Sequence, residues 1–221
     1  MGSVAFDTAG LTFSESLREG TRAHHLEAER SGIVFDILRK RASRNGHMLL
    51  LRNLLPAYRE MEAGLEQHRD RSPAGLFAVP ALYRTHALAR DLANLAGDAW
   101  IDALPLLPAA EAYASRVSAA AKGDGGRLLA HAYVRYFGDL SGGQALKGLL
   151  GRTLSLSAEQ MSFYEFPAIS DPLAFKNELR AKLDRAVSEL ADPGDVIEEA
   201  CAAFQLNIEL SNAVAAAARE S

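Results

Sequence analysis

Three glycines and a carboxylate break into an otherwise helical pattern between Tyr133 and Gln144, in the run Gly138-Asp139-Leu140-Ser141-Gly142-Gly143. Each glycine inside a helix costs about 1 kcal/mol relative to alanine, so a helix that keeps them has a use for bare backbone. Gly138 and Gly142 are four residues apart and share one helical face. That face is stripped of side chains, which lets a flat partner approach the backbone, and Asp139 sits at the edge of the strip. A helix crossing lined by small residues would use the same spacing, and spacing alone does not separate the two readings.

The rest of the chain reads as helices separated by turns. Thr12-Phe13-Ser14-Glu15 fits a capping box that opens a helix running to about Arg30. Gly32 breaks it, a short apolar helix follows from Ile33 to Arg41, and Arg44-Asn45-Gly46 reads as a turn before a long segment to about Arg69. Pro56 inside that segment predicts a kink or a new helix start. A loop lies around Arg71 to Pro80. Leu88, Leu92 and Leu95 mark the stripe of the next helix, ended by Gly97. Pro105 and Pro108 bracket another start, with Leu107, Ala110, Ala114 and Val117 at helical spacing. Lys122-Gly123-Asp124-Gly125-Gly126 is a turn, after which the glycine-bearing helix spans about Arg127 to Thr153. Phe175, Leu179, Leu183, Val187 and Leu190 form a stripe beyond Pro172, and Asp192-Pro193 reads as an N-cap with proline at the first helical position. No stretch alternates polar and apolar residues as a strand would. The expected fold is all-α, in one domain over residues 1–221, with residues 1–11 a flexible N-terminal segment.

Composition narrows function mainly by exclusion. A 221-residue chain with 48% hydrophobic residues suits one sizeable core. A formal net charge of -4 argues against general nucleic-acid binding, which needs clustered Lys and Arg. No basic segment followed by an apolar stretch opens the chain, and the alanine-rich tail at residues 213–218 is far shorter than the ~20 apolar residues of a membrane span. A single cysteine, Cys201, permits no intrachain disulfide and reads as a small core residue. The expected setting is the cytoplasm, without a membrane anchor. Asp124-Gly125-Gly126 lacks the Lys-Ser/Thr of a phosphate loop. His47, His68, His86 and His131 are too scattered for a structural zinc site.

On the first helix Arg18, Arg22, His25 and Glu29 are spaced by four, three and four residues, so all project from one face. A metal-ligating histidine usually gives its other ring N–H to a carboxylate, carbonyl or water, and Glu29 stands one turn beyond His25 for that purpose. A solvated charged face has the same pattern. His24 points about 100° away from His25.

Residues 133–144 closely resemble the signature of the heme oxygenases, in which a kinked distal helix lays glycine backbone over the heme face. Leu17 to Glu29 resembles the proximal helix of that family, with His25 at the iron ligand and Glu29 at its partner. Phe163-Tyr164-Glu165-Phe166-Pro167, followed by Lys176 and Arg180, gives a third match, and Phe204-Gln205-Leu206-Asn207-Ile208 a fourth. All four occur in family order across most of the chain.

The resemblance implies a soluble bacterial-type member that opens heme to biliverdin, by default at the α-meso carbon, releasing carbon monoxide and ferrous iron. Heme would be substrate and cofactor, O2 the oxidant, and His25 the proximal iron ligand. Asp139 is implied to deliver protons through a distal water network, with Arg135 and Tyr58 in catalytic support and Tyr133 and Asn207 beside them. Gly138, Ser141 and Gly142 would lie against the macrocycle, and Phe204 would line the pocket. Arg18, Arg22, Lys176 and Arg180 would meet the propionates, although the first two stand where the family often has lysines. No flavin or nicotinamide motif is evident, so electrons would come from an external ferredoxin, flavodoxin or reductase to a monomer. Two other readings remain: a heme-storage or sensing protein, against which Asp139 argues, and a helical relative binding a thiamin-like compound or a non-heme metal pair.

Overall fold

A capping box starts the first helix. Thr12 Oγ1 accepts from the Glu15 N–H at 3.3 Å while the Thr12 N–H donates to Glu15 Oε2 at 2.9 Å, an arrangement of which the cap alone contributes about 1 kcal/mol. The computed structural model describes residues 10–71 and 73–220; most of the expected flexible segment, residues 1–9, lies outside them. The helices are α1 (Phe13–Ala28), α2 (Gly32–Leu38), α3 (Arg44–Gln67), α4 (Thr85–Ala96), α5 (Trp100–Ala103), α6 (Pro108–Ala120), α7 (Gly126–Leu154), α8 (Pro172–Ala186) and α9 (Pro193–Glu220). Single 3-10 turns lie at Ala74–Phe77, Pro80–Leu82, Ala158–Gln160, Ser162–Tyr164 and Val187–Glu189, and the described residues contain no strand. None of these helices is long and apolar enough to cross a membrane.

The last helix organises the rest: α1, α2, α3, α6 and α7 all pack on α9. Asp192 opens it as expected, its Oδ1 accepting from the Gly194 N–H at 2.8 Å and the Asp195 N–H at 3.3 Å. Leu17, Leu51, Leu65, Leu88, Leu92, Leu128 and Leu129 are fully buried in the shared core. The five glycines inside α7, at 138, 142, 143, 148 and 151, cost roughly 5 kcal/mol in helix propensity. The same helix buries Leu128, Leu129, Tyr133, Val134, Tyr136, Phe137, Leu140 and Leu150, each worth about 1.5–3 kcal/mol. Burial wins, and the helix runs through its glycines without interruption.

Several local expectations are corrected. Residues 44–46 are not a turn: Ser43 caps α3 by accepting from the Gly46 N–H at 3.0 Å, which draws Arg44-Asn45-Gly46 into the first turn. The long segment stays one helix through Pro56 and ends at Gln67. The short apolar helix closes at Leu38, and α1 closes at Ala28. The stripe after Pro172 leaves the α-helix at Ala186, so that Val187 lies in a 3-10 turn and Leu190 follows it. Cys201 is half-buried, with its S–H directed at the Gly20 carbonyl.

Gly32 fixes the entry to α2. Its φ is +51°, and a β-carbon there would lie 2.2 Å from the backbone C and O of Ser211. Ser211 Oγ accepts from the Val34 N–H at 3.2 Å and donates to the Ser31 carbonyl at 2.9 Å. Gly32→Ala therefore meets both a left-handed backbone and a backbone clash. We expect a loss of about 3 kcal/mol or more, read as a melting temperature roughly 6–12 °C lower; a parent-like melt would show that α2 does not dock this closely.

Acid sensitivity follows from His47. Burial, with Arg44 adding to it, lowers the pKa of this ring to about 4 from 6.5. The fold therefore favours the neutral ring, and its contribution is intact above pH 6.5 and lost as pH falls through about 4. Between those limits the unfolded chain binds a proton that the folded chain does not, which amounts to about 1.4 kcal/mol per pH unit. Denaturant titrations should show the parent losing stability at that slope relative to His47→Phe. Parallel slopes would contradict the assignment.

Candidate functional site

The glycine strip of α7 faces open space. Gly138 and Gly142 are exposed, and nothing lies within 4 Å of where a β-carbon would stand on either. This excludes a helix crossing at these two positions, since a packed partner would occupy that space. Ser141 lies between them and accepts a 2.8 Å hydrogen bond from Lys176 Nζ of α8. Burial and the neighbouring Arg180 lower the pKa of Lys176. One helical turn further along α8, the Arg180 guanidinium lies 5.1 Å above the ring of Phe137, which in turn meets the Tyr133 ring at 4.7 Å with the planes tilted by 37°. Burial raises the Tyr133 pKa against the charges of Arg180 and Arg18, so arginines of α8 and α1 converge on this end of α7.

Beside the strip lies a bonded polar set. Tyr58 of α3 donates its hydroxyl proton in a short bond to Asp139 Oδ2. Arg135, one turn before Asp139, donates Nε–H to the Tyr58 oxygen at 2.9 Å, Nη1–H to Asn207 Oδ1 at 2.5 Å and Nη2–H to Asp139 Oδ1 at 3.2 Å. Asn207 passes its own amide protons to the Tyr113 hydroxyl at 2.9 Å and the Ala203 carbonyl at 2.7 Å. The set joins α3, α6, α7 and α9.

Electrostatics divide its members by task. Burial pushes the Asp139 carboxyl up, against the opposing pull of Arg135, the Tyr58 hydroxyl and Arg84. It therefore takes a proton more readily than an exposed aspartate, while 11% exposure leaves its side chain an opening. Arg135 is the reverse case: burial alone would weaken its charge, but Tyr58 and Asp139 more than offset this, and its pKa is raised. It remains a fixed cation, whereas the carboxyl beside it can exchange a proton.

His25 is 55% exposed in its side chain. Its ring meets Phe204 of α9 edge-on at 5.9 Å, and Nδ1 lies 3.9 Å from Glu29 Oε1, a distance suited to a bridging water. His24 instead turns inward, with Nδ1 buried and without a protein partner. Phe204 and Asn207 are three residues apart on one face of α9, so a single helical turn carries both the His25 contact and the Arg135 contact. The α1 helix is also clamped to α8: Asp184 accepts from the Ser14 N–H at 2.7 Å and the Ser14 hydroxyl at 3.0 Å. Arg18 and Arg22 are exposed, with Arg22 3.5 Å from Glu19.

The structure thus gathers Tyr58, Arg135, Asp139 and Asn207 into one set, pairs His25 with Phe204, and places Lys176 on Ser141. Direct contact between His25 and the Asp139 set is not among its hydrogen bonds or ring contacts. Tyr113 and Phe137 belong to the site and were not expected from sequence. Phe137 carried a local signal, being four residues after Tyr133; Tyr113 carried none, because its role depends on how α6 meets α9.

This arrangement has counterparts. The family model described as heme oxygenase matches residues 11–213. Heme oxygenase 1 of Rattus norvegicus is 35% identical over 207 residues, covering 92% of this chain and 72% of that protein. Heme oxygenase 1 of Nostoc sp. is 34% identical over 198 residues, covering 89% and 83%. Among solved structures, heme oxygenase-1 from the cyanobacterium Synechocystis sp. in complex with heme aligns with a TM-score of 0.89 at 32% identity over 95% of both chains. The heme oxygenase of Leptospira interrogans aligns at 0.86 and 31%, over 91% and 99%. A bare glycine strip flanked by a buried carboxylate network, on a helical frame matched over nearly its whole length, leads to one assignment: the chain belongs to the heme oxygenase family.

Proposed function

We infer that this chain is a heme oxygenase, an oxidoreductase that cleaves heme to biliverdin, carbon monoxide and iron. The observation that carries the reading is the open strip at Gly138 and Gly142 immediately beside the Asp139–Tyr58–Arg135–Asn207 set. The residues fit the group: bare backbone admits a flat macrocycle, and a half-exposed imidazole braced by Phe204 presents a nitrogen donor. When bound, heme supplies the iron that activates O2 and is itself the ring that is opened.

The roles of single residues are our proposal. His25 holds the iron, with Glu29 orienting its ring through water. Gly138 and Gly142 allow close approach on the other side, and Ser141 lies at the same edge. Arg18, Arg22, Lys176 and Arg180 hold the propionates by charge-assisted hydrogen bonds, which sets in-plane orientation and favours the α-meso carbon. Tyr133 and Phe204 line the pocket. Asp139 Oδ2 holds and releases a proton, Tyr58 Oη orders the carboxyl, and Arg135 locks both against Asn207. Burial of this set excludes bulk water, so protons arrive through ordered groups. Electrons are proposed to come from a separate ferredoxin, flavodoxin or reductase, and the chain to act as a cytoplasmic monomer.

A storage role would need the same His25 pocket but no proton-handling set. A non-heme metal pair needs several ligands together, and the described residues hold no group of three His, Cys, Asp or Glu placed to bind a metal ion. The test is to add hemin, record the visible spectrum, then supply reductant under air. A Soret band that decays to biliverdin is expected; a stable band would indicate storage, and no band would overturn heme binding.

A further inference from the structure

Two buried side chains with unpartnered polar atoms, Tyr164 and His47, stack on one another beside α7. Asp139 and Gly143 are four residues apart and share a face of α7. The ring of Tyr164 fills the space over Gly143, where a β-carbon would meet Tyr164 Cδ1 at 3.8 Å. Tyr164 is firmly placed. Its carbonyl accepts from Gln144 Nε2 at 2.9 Å, and its ring meets Phe163 edge-on at 4.9 Å. Asp91 pins the turn by accepting from the Ser162 and Phe163 N–H groups at 3.0 and 2.8 Å. Phe163 also packs on Tyr58, the hydroxyl that donates to Asp139. Yet the Tyr164 hydroxyl is buried and bonds to no other protein group.

His47 of α3 stacks on the same ring, with centroids 6.0 Å apart and planes 22° apart. It is fully buried, and neither ring nitrogen has a protein partner. Burial keeps the ring neutral at pH 7, so it offers one donor and one acceptor. Burial, with the Asp139 and Asp91 carboxylates, pushes the Tyr164 hydroxyl up and keeps its proton in place. Each such group left unsatisfied weakens the fold by about tenfold or more in its unfolding equilibrium. Protein interiors meet such groups with buried water that has two to four polar partners.

We propose that His47 and Tyr164 frame a buried hydration site against the Gly143 turn of α7, whose water extends the Asp139–Tyr58–Arg135 set by one helical turn. The two side chains are positioning residues: they hold the water from which the Asp139 carboxyl is resupplied with protons, and they do not touch heme. Only this last step rests on the heme-cleaving reading; the hydration site does not.

The test begins on the ligand-free chain, comparing the parent with His47→Phe, Tyr164→Phe and the double variant. Oxygen-17 relaxation dispersion should show a long-lived water in the parent that is absent from the double variant. Each single change should favour unfolding by about tenfold, because it orphans the other group, whereas the double change should return to within about threefold of the parent. His47→Gln, which restores a donor and an acceptor, should recover the water. Additive losses with unchanged long-lived water would overturn the site. In the heme-loaded enzyme, Tyr164→Phe should keep its Soret band and slow single-turnover biliverdin formation several-fold, with His47→Gln near the parent. An unchanged rate despite loss of the water would break the link to Asp139, while a parent that makes no biliverdin would fault the heme reading instead.

Discussion

Asp139→Ala should keep a heme Soret band and lose biliverdin formation by about 100-fold, the lower end of what a positioned acid or base contributes. In the proposed assignment, binding rests on His25, the basic residues and the open strip, none of which this change removes. Proton handling rests on a carboxyl that burial has moved toward the neutral form and that takes the Tyr58 hydroxyl bond. The change also strips Arg135 of its carboxylate partner, and an uncompensated buried guanidinium costs about 3–5 kcal/mol. Asp139→Asn separates the two effects, since the amide oxygen can still accept from Arg135 although the group no longer carries a proton for transfer. Both variants should fail in turnover, with the asparagine form melting nearer to the parent. A folded, heme-loaded variant with parent-like biliverdin yield would sink this mechanism.

How far the site was legible depended on whether its parts lie on one helix. The glycine strip and Asp139 stand within six residues of each other, so helical periodicity alone put them on adjacent faces. The His25 stripe was visible for the same reason, though on the pattern alone a solvated charged face suits it better than a ligand set; the structure adds the contact of Phe204 with the ring. Tyr58, Asn207 and Lys176 reached the site only through the family resemblance, because contacts between residues 35 to 81 apart in the chain leave no local pattern. Tyr113 was missed for that reason. In the sequence His47 is one of several scattered histidines, and nothing in its neighbours reveals that Tyr164 stacks on it.

The fold itself was read mostly from punctuation. Thr12, Asp192-Pro193 and Gly97 gave true ends because cap chemistry acts within a few residues. Where tertiary packing decided, the reading slipped. Gly46 looked like a turn, yet the Ser43 cap and the buried Leu49 to Leu55 run hold it in a helix. Pro56 removes one N–H from α3, and burial of Leu54, Tyr58, Met61 and Leu65 on either side outweighs that loss.

His25→Ala should abolish proximal ligation altogether. His25 is the half-exposed ring of α1, while His24 turns its Nδ1 into the protein, so the neighbouring histidine is not free to replace it. The loss should exceed the 10–100-fold that removal of an outer-shell partner commonly causes, and it should appear first in the ferric spectrum and then in turnover. Free imidazole supplied to the variant should restore much of the parent spectrum, because the alanine leaves space beside Phe204 where the ring stood. Glu29→Ala is expected to act more weakly, since its carboxylate lies 3.9 Å from the ring and its proposed role is to orient that ring. His24→Ala should leave the spectrum nearly unaltered. Native-like ligation in His25→Ala without added imidazole, or its loss in His24→Ala, would assign the iron to the other histidine and redraw the proximal side of the pocket.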